Sequence, residues 1–444
     1  MTYSKQTDVV IVGSGPGGAT VARQLARANA GLGVTLLERG RDWRGSPLYG
    51  TYPGAMLYSD RRSLLFTDEG LNIIRPLMVG GATSMYCGCA ARPLPFWQAR
   101  YGINLDPYAD ETGDELHIAP LPAELRGAAS TRIAAAAAEL GMNWEPQDKF
   151  MSPARAPQFH CQATCMLGCR CGAKWNAAEF VDQAVADGLD LWTGARVDRV
   201  LHEDGVATGV MGKVGGRPFT IYAPLVILAA GGIGTPRILQ RSGLPAAGQG
   251  MTMDTTVMVY GYAPEKGNGT EPPMTWSYAD DDLGVLFSTL IDPWLLYPII
   301  MALKGPAYPL TWQRWGRTYG VMIKLKDEIS GGVGVNGRIH KGLTAHDRQR
   351  MARAEAVAGR ILRQAGCDPD TIFTTPIRGT HPSGTVRLGT MLDTNLQTEI
   401  ENLYVCDASV FPEALARPTV LTIIALAKRL AAHILSAYDP QSNQ

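Results

Sequence analysis

An α/β fold, with a parallel-sheet unit joined to an antiparallel-sheet unit, is predicted by three features of the 444-residue sequence. An apolar run at residues 9–12 enters the spacing Gly13-x-Gly15-x-x-Gly18 and then a helical pattern. A second apolar run, residues 225–229, also breaks into glycines before a helix. Between residues 249 and 349 the composition shifts to strand-like segments separated by Gly and Pro turns, the pattern of an antiparallel sheet.

The first feature carries the most chemistry. The chain must turn tightly at Gly13, bare backbone at Gly15 admits a pyrophosphate, and Gly18 lets helix and strand come close. The helix N-terminus then faces the phosphates. The next strand, residues 34–37, ends at Glu38, where a carboxylate accepts both ribose hydroxyls of an adenosine and repels the extra phosphate of NADP. Strand, glycines, helix, strand and acid together predict a Rossmann-like dinucleotide site. FAD and NAD share the ADP moiety, so this signature does not separate them.

Further along, Gly80-Gly81 and their small neighbours permit close backbone approach to a flat ligand, or form a glycine-rich crossing between elements. Residues 123–140, rich in alanine, read as a helix, as do residues 177–188. Residues 191–200 read as a strand and 208–223 as a hairpin. After the 225–229 strand, a helix is expected to begin near Thr235-Pro236. Strands are expected in V-M-V-Y-G-Y, G-V-L-F-S-T-L and Y-G-V-M-I-K-L-K, and helices at 350–362 and through the segment after Thr419. These elements suggest residues 1–248 as the main nucleotide-binding region, with a cysteine-bearing insertion at 159–176. Residues 249–370 form mainly a substrate domain, and 371–444 supply an active-site segment and return to the first unit.

Lys plus Arg and Asp plus Glu are each 41, which gives no bulk attraction to nucleic acid or an anionic membrane. No apolar run reaches the length of a membrane span, and residues 293–303 are too short and contain Pro298. With no export segment at the N-terminus, a cytoplasmic protein is expected. Trp294, Tyr297, Tyr308, Trp312 and Trp315 either form the core of the smaller domain or line an apolar or carbohydrate pocket.

Four of the eight cysteines, Cys161, Cys165, Cys169 and Cys171, fall within eleven residues at the spacing C-x3-C-x3-C-x-C. In a cytosolic chain this favours metal ligation or burial over a disulfide framework. Thiolates suit an iron-sulfur cluster. Structural zinc is an alternative, with His160 as a substitute ligand, and so is metal-free burial or redox pairing. Cys87 and Cys89 lie beside the Gly80-Gly81 loop, whereas Cys367 and Cys406 read as structural.

In order, V-I-V-G-S-G-P-G-G-A with Glu38, G-G-A-T-S-M-Y at 80–86, L-A-A-G-G-I-G-T-P-R-I-L with S-G-L at 242–244, H-P-S-G-T-V-R-L-G at 381–389, and N-L-Y-V-C-D-A-S-V-F-P through the final helix resemble the glucose-methanol-choline (GMC) flavoprotein oxidoreductases. The segment C-M-L-G-C-R-C-G-A-K-W also resembles a motif of some dehydrogenases in that family that accompanies an iron-sulfur centre. The resemblance implies FAD beside an active-site pocket and oxidation of an alcohol or sugar hydroxyl by hydride transfer to flavin N5. It also implies electrons passed to an external acceptor or electron-transfer partner. Glu38 would bind the adenosine ribose, and the stretch from Gly80 and Gly81 to Tyr86 would lie at the pyrophosphate and flavin. Val197 would contact adenine through its backbone, and Asp407 with Ala408 would lie against the pyrophosphate or flavin edge.

His381 matches the family's active-site histidine. Imidazole, with a reference pKa near 6.5, can take the hydroxyl proton as hydride leaves the carbon. The family usually has Asn or a second His just before its last helix; this chain has Arg417-Pro418 there. Arg417 could hold a developing alkoxide, since guanidinium is a fixed cation and a poor proton acceptor. The expected function is an FAD-dependent alcohol dehydrogenase. An oxygen-reducing oxidase and an electron-transfer subunit without alcohol chemistry are the alternatives.

Overall fold

The computed structural model of the chain describes residues 3–28, 31–155, 159, 161, 164–265, 271–302, 305–306 and 308–437. Five parallel strands form the first sheet in the order Leu403–Val405, Leu225–Leu228, Val9–Val12, Val34–Glu38, Asp190–Thr193. The middle three of these are buried along their whole length, as strands covered on both faces must be. Helices Pro16–Arg27, Ala178–Ala186 and Val420–Ala437 pack together beside the sheet. A second sheet, containing Ala195–Glu203, Val206–Val214 and Arg217–Tyr222, packs against strands Val34–Glu38 and Leu225–Leu228.

Among the described residues only Val420–Ala437 is long and apolar enough to cross a membrane, and two thirds of it is buried against this core. Of its two central charges, Lys428 and Arg429, the buried Lys428 is tied to Glu111 and Glu115.

The other unit is built on antiparallel strands Trp276–Asp280, Val285–Thr289, Thr318–Leu325 and Thr256–Tyr262, hydrogen-bonded in that order. The period-two alternation divides its faces. Val257, Val259, Phe287, Val321 and Ile323 face helices Ala128–Glu139 and Ala345–Gln364. Met258, Tyr260, Leu286 and Met322 face the opposite way, toward Cys87 and Cys89. Helix Ala128–Glu139 and strand Glu145–Pro146 therefore join this unit although they precede residue 249.

Three sequence expectations are corrected locally. The 123–140 helix is a 3-10 turn, Ala123–Leu125, followed by Ala128–Glu139. The break is Gly127, at φ +88°, where the Glu271 carboxylate caps the helix through Ala129 and Ser130 N–H. The 191–200 strand divides at Gly194, φ +69°, into strands of two different sheets. The helix expected at Thr235 starts at Gly231 and carries Pro236 in its second turn, where the Gly232 carbonyl that lacks a Pro N–H accepts from the Thr385 hydroxyl at 2.9 Å instead.

Candidate active site

An elongated cavity opens where the parallel strands end, at the point where the strand order reverses. Its wall includes Gly13 after strand Val9–Val12, Glu38 at the end of Val34–Glu38, Ala229 after Leu225–Leu228 and Asp407 after Leu403–Val405. This is where an open parallel sheet binds its ligand. Gly15 faces the opening with nothing within 4 Å of an added Cβ, whereas at Gly18 that atom would stand 1.9 Å from the Gly13 carbonyl oxygen. The two glycines thus divide the work expected of them: one approaches ligand, the other closes helix on strand. At Gly81, φ +53°, in the second glycine loop, an added Cβ would stand 2.9 Å from Gly15 Cα.

Glu38 is buried on the wall. Its Oε2 accepts from Ser14 N–H (3.0 Å) and the Ser14 hydroxyl (2.6 Å), and Oε1 accepts from Gly40 N–H at 2.7 Å. The side chain therefore fixes the phosphate loop while remaining at the cavity edge, and Val197 lines the same end. Asp407 accepts from Gly231 N–H (2.8 Å) and the Thr235 hydroxyl (2.5 Å), tying the last strand to the helix after Leu225–Leu228. Ala408 lies beside it on the wall.

Arg39, Arg75, Arg237 and Arg241 also line the cavity, and sequence reading did not single them out. Arg75 is paired with Asp60 at 3.0 Å, but Arg237 Nε is buried with no hydrogen-bond partner among the described residues. An orphaned buried donor among several cations fits the anionic pyrophosphate of a dinucleotide. With the open Gly15 and the acid at Glu38, the residues present fit FAD. Two expected cofactor residues are not on this wall. Gly80 donates its N–H to the Ser14 hydroxyl behind the loop at 3.3 Å. Tyr86 donates its hydroxyl to the Trp175 carbonyl at 2.9 Å and stacks under Lys174.

At the far end of the cavity stands His381. Its Nδ1 lies 2.8 Å from Oδ2 of Asp254, whose side chain is 1% exposed. A carboxylate only accepts, so Nδ1 carries the proton and Nε2 presents a lone pair. Burial, and next the Lys324 ammonium, hold the imidazole below its usual value of 6.5, against the opposite pull of Asp254. His381 is therefore neutral at pH 7, as a base must be.

Asp254 sits at φ +45° and its Oδ1 accepts from Ala416 N–H at 2.8 Å. The flanking N–H groups of Met253 and Thr255 donate to Asp327, itself paired with Lys341 at 2.7 Å. A buried ion pair thus holds the bend that aims Asp254. Nothing in the local sequence marks Asp254 as the partner of a histidine so far along the chain.

Arg417 does not reach this point. The backbone turns at Ala416, φ +51°, and Arg417 Nη2 pairs with Asp281 at 2.6 Å, a carboxylate that is 89% exposed. The expected alkoxide contact is thus replaced by a rim ion pair. Pro418 is also absent from the wall, to which the final helix contributes Thr419, Val420 and Ile423.

The four clustered cysteines do line one cavity, of about 840 Å³, together with Lys174. Cys169 and Cys171 have their sulfurs 3.6 Å apart, and Cys161 hydrogen-bonds with Cys165. That bond first, and burial next, push the Cys165 thiol up; burial does the same for Cys169. His160 lies outside the described residues. Among the described residues no three of His, Cys, Asp and Glu gather around a single-ion position. A tetrathiolate zinc needs its sulfurs about 3.8 Å apart in every pairing, from Zn–S bonds near 2.3 Å; the two separate pairs do not supply that.

Two buried lysines accompany the thiols. Lys174 Nζ donates to the carbonyls of Ser84, Tyr86 and Cys165, and Lys149 Nζ to those of Cys87 and Pro273 and to Cys89 Sγ at 3.1 Å. Of the aromatic residues, Tyr297 is core, Trp312 and Trp315 pack against the sheet, and Trp294 is 48% exposed. The Tyr308 side chain lies outside the described residues.

The N-terminal signature of the GMC oxidoreductases matches residues 10–256, and their C-terminal signature matches 337–427. An uncharacterised GMC-type oxidoreductase of Mycobacterium tuberculosis is 34% identical over 280 residues, 58% of this chain and 43% of that one. The match thus spans less than half of that relative's length. A long-chain-alcohol oxidase of Arabidopsis thaliana is 24% identical over 516 residues, covering 98% of this chain and 68% of its own. The crystal structure of pyridoxine 4-oxidase from Mesorbium loti superposes with a TM-score of 0.73 over 98% of this chain and all of that one, at 19% identity.

Proposed function

The chain belongs to the GMC oxidoreductase family, whose reactions are flavin-dependent, and from that premise we propose that it oxidises the hydroxyl of a small alcohol or sugar. The observation that carries this reading is the His381–Asp254 pair, with His381 on the wall of the cavity that Gly13, Gly15 and Glu38 also line. His381 Nε2 takes the hydroxyl proton, and Asp254 holds the tautomer and balances the charge that results. Asp254 also keeps the ring from rotating, because its second oxygen is anchored on Ala416 N–H. Gly13, Gly15, Gly18 and Gly81 would place the pyrophosphate, Glu38 and Val197 the adenosine, and Asp407 with Ala408 the flavin edge. Bound FAD would supply the hydride acceptor at N5. The name of the plant relative, a long-chain-alcohol oxidase, supports an alcohol as substrate class.

We infer a dehydrogenase with an external electron acceptor in preference to an oxidase. The cysteine cavity supports this. Four thiols line a cavity of about 840 Å³ without gathering on a single-ion position, which leaves room for a thiolate-held iron-sulfur cluster, and Lys174 beside them has no carboxylate partner among the described residues. Such a cluster would be held by Cys161, Cys165, Cys169 and Cys171 and would supply one-electron transfer.

The test is anaerobic mixing of the holoenzyme with a chemically diverse alcohol panel while the visible spectrum is recorded. Bleaching of oxidised flavin by at least one alcohol is expected. Failure of every alcohol, with FAD bound stoichiometrically, would sink the reading.

A further inference from the structure

Five lysines are buried among the described residues: Lys149, Lys174, Lys324, Lys341 and Lys428. Four have evident partners. Lys149 and Lys174 donate to backbone carbonyls, Lys341 pairs with Asp327, and Lys428 with Glu111 and Glu115. Lys324, 2% exposed, has neither a hydrogen bond nor an ion pair among the described residues. A lysine buried without hydrogen-bond partners is costly to fold, and its Nζ is left available to a ligand.

The sheet register says where it points. Lys324 lies on strand Thr318–Leu325, opposite Thr256 on one side and Leu286 on the other. Directly opposite residues share a face, with Cβ atoms about 5 Å apart. That face is the one turned to Cys87 and Cys89, away from the helices. The Thr256 hydroxyl is 2.6 Å from that of Thr380, the residue before His381. The Lys324 stem therefore starts one side chain away from the histidine loop. Burial lowers the Lys324 pKa, Asp254, Cys87, Cys89 and Asp327 pull it back up, and its charge in turn acts on His381.

We propose that Lys324 is a second catalytic residue, whose ammonium binds the substrate oxygen that His381 deprotonates. The proposal rests on the alcohol-oxidation reading and gives the substrate oxygen a cation that Arg417, paired with Asp281, does not supply. As the O–H bond breaks, its proton goes to His381 Nε2 and the negative charge on oxygen is met by Lys324. Bound flavin would supply the acceptor for the hydride as the C=O bond forms, and His381 returns its proton to solvent. A cation aimed at the developing oxyanion in a dry site stabilises it strongly. It also keeps His381 neutral by repulsion, so one side chain serves both ends of the proton transfer.

The experiment uses the FAD-loaded Lys324→Met, Lys324→Arg and His381→Asn variants. Sulfite, a small anion that adds to oxidised flavin and bleaches it, is the probe, and the His381 imidazole is followed by NMR titration. Lys324→Met is expected to weaken sulfite binding about tenfold or more and to raise the His381 midpoint; Lys324→Arg restores both in large part. Unchanged sulfite affinity and an unchanged His381 midpoint in Lys324→Met would overturn the proposal. If that variant fails to fold, Lys324→Gln gives the same comparison. The two readings separate cleanly. A His381→Asn enzyme that still reduces flavin at the wild-type rate defeats the base assignment, whereas the sulfite result judges Lys324 alone.

Discussion

Asp254 Oδ2 and His381 Nδ1 stand 2.8 Å apart although 127 residues separate them in the chain. Asp254 leaves the core of one unit at a left-handed bend, and His381 sits in the loop that returns to the other, so the contact joins the two units at the end of the cavity. Its second oxygen takes Ala416 N–H, which also fixes the bend that directs Arg417 outward.

Asp254→Asn can donate to Nδ1 as readily as accept, and the ring is then free to present N–H where a lone pair is needed. Flavin reduction by the best alcohol should slow by about 10²-fold or more, with FAD content unchanged. Rapid-mixing absorbance under anaerobic conditions measures it. A slowing below about threefold would show that the tautomer is held by something else.

The pH dependence follows from burial of His381 and the Lys324 charge, which both lower its pKa. A base must be deprotonated, so the reduction rate rises with pH through the His381 midpoint and is flat above it. That acid limb should fall below the ordinary value of about 6.5, and move to higher pH in Lys324→Met. A limb above 6.5 in the wild type would contradict the geometry.

Glu38→Gln removes the charge from a carboxylate that holds Ser14 and Gly40 N–H and faces the adenosine end. Charge-assisted hydrogen bonds are worth about 1.5–3 kcal/mol, so FAD affinity should fall tenfold or more. Flavin fluorescence on dilution of the holoenzyme reads this directly.

Arg417→Ala should change the reduction rate by less than about threefold, because its ion pair with exposed Asp281 is a rim contact of small energy. A loss of two orders of magnitude would place Arg417 on the substrate after all.

Iron and acid-labile sulfide should be found in the anaerobically purified protein and be lost together in Cys165→Ser. Zinc in place of iron, or neither element, would leave the cysteine cavity without a role in electron exit.

What the sequence disclosed was whatever is encoded locally. Gly13-x-Gly15-x-x-Gly18 and Glu38 act within one strand-helix-strand unit, so spacing alone located them. Asp254 was hidden because its partner is remote and its own stretch has no motif. Lys324 did leave a signal: a lysine between Ile323 and Leu325 in a strand buried along its whole length. Alignment on Pro418 suggested Arg417 as an active-site cation, but the positive φ at Ala416, which residue identity does not announce, turns that side chain outward. The two glycines at 80 and 81 looked equivalent in sequence, yet only Gly81 meets the cavity, since Gly80 is spent on packing against Asn176.

The central claim is that His381 is the base for alcohol oxidation in a flavin-loaded site. The most direct measurement is the anaerobic flavin-reduction rate of His381→Asn beside wild type, with FAD content matched and the same alcohol. The account predicts a loss of about 10²–10⁴-fold. A rate within a few-fold of wild type, with the acid limb of the pH profile still in place, would contradict it.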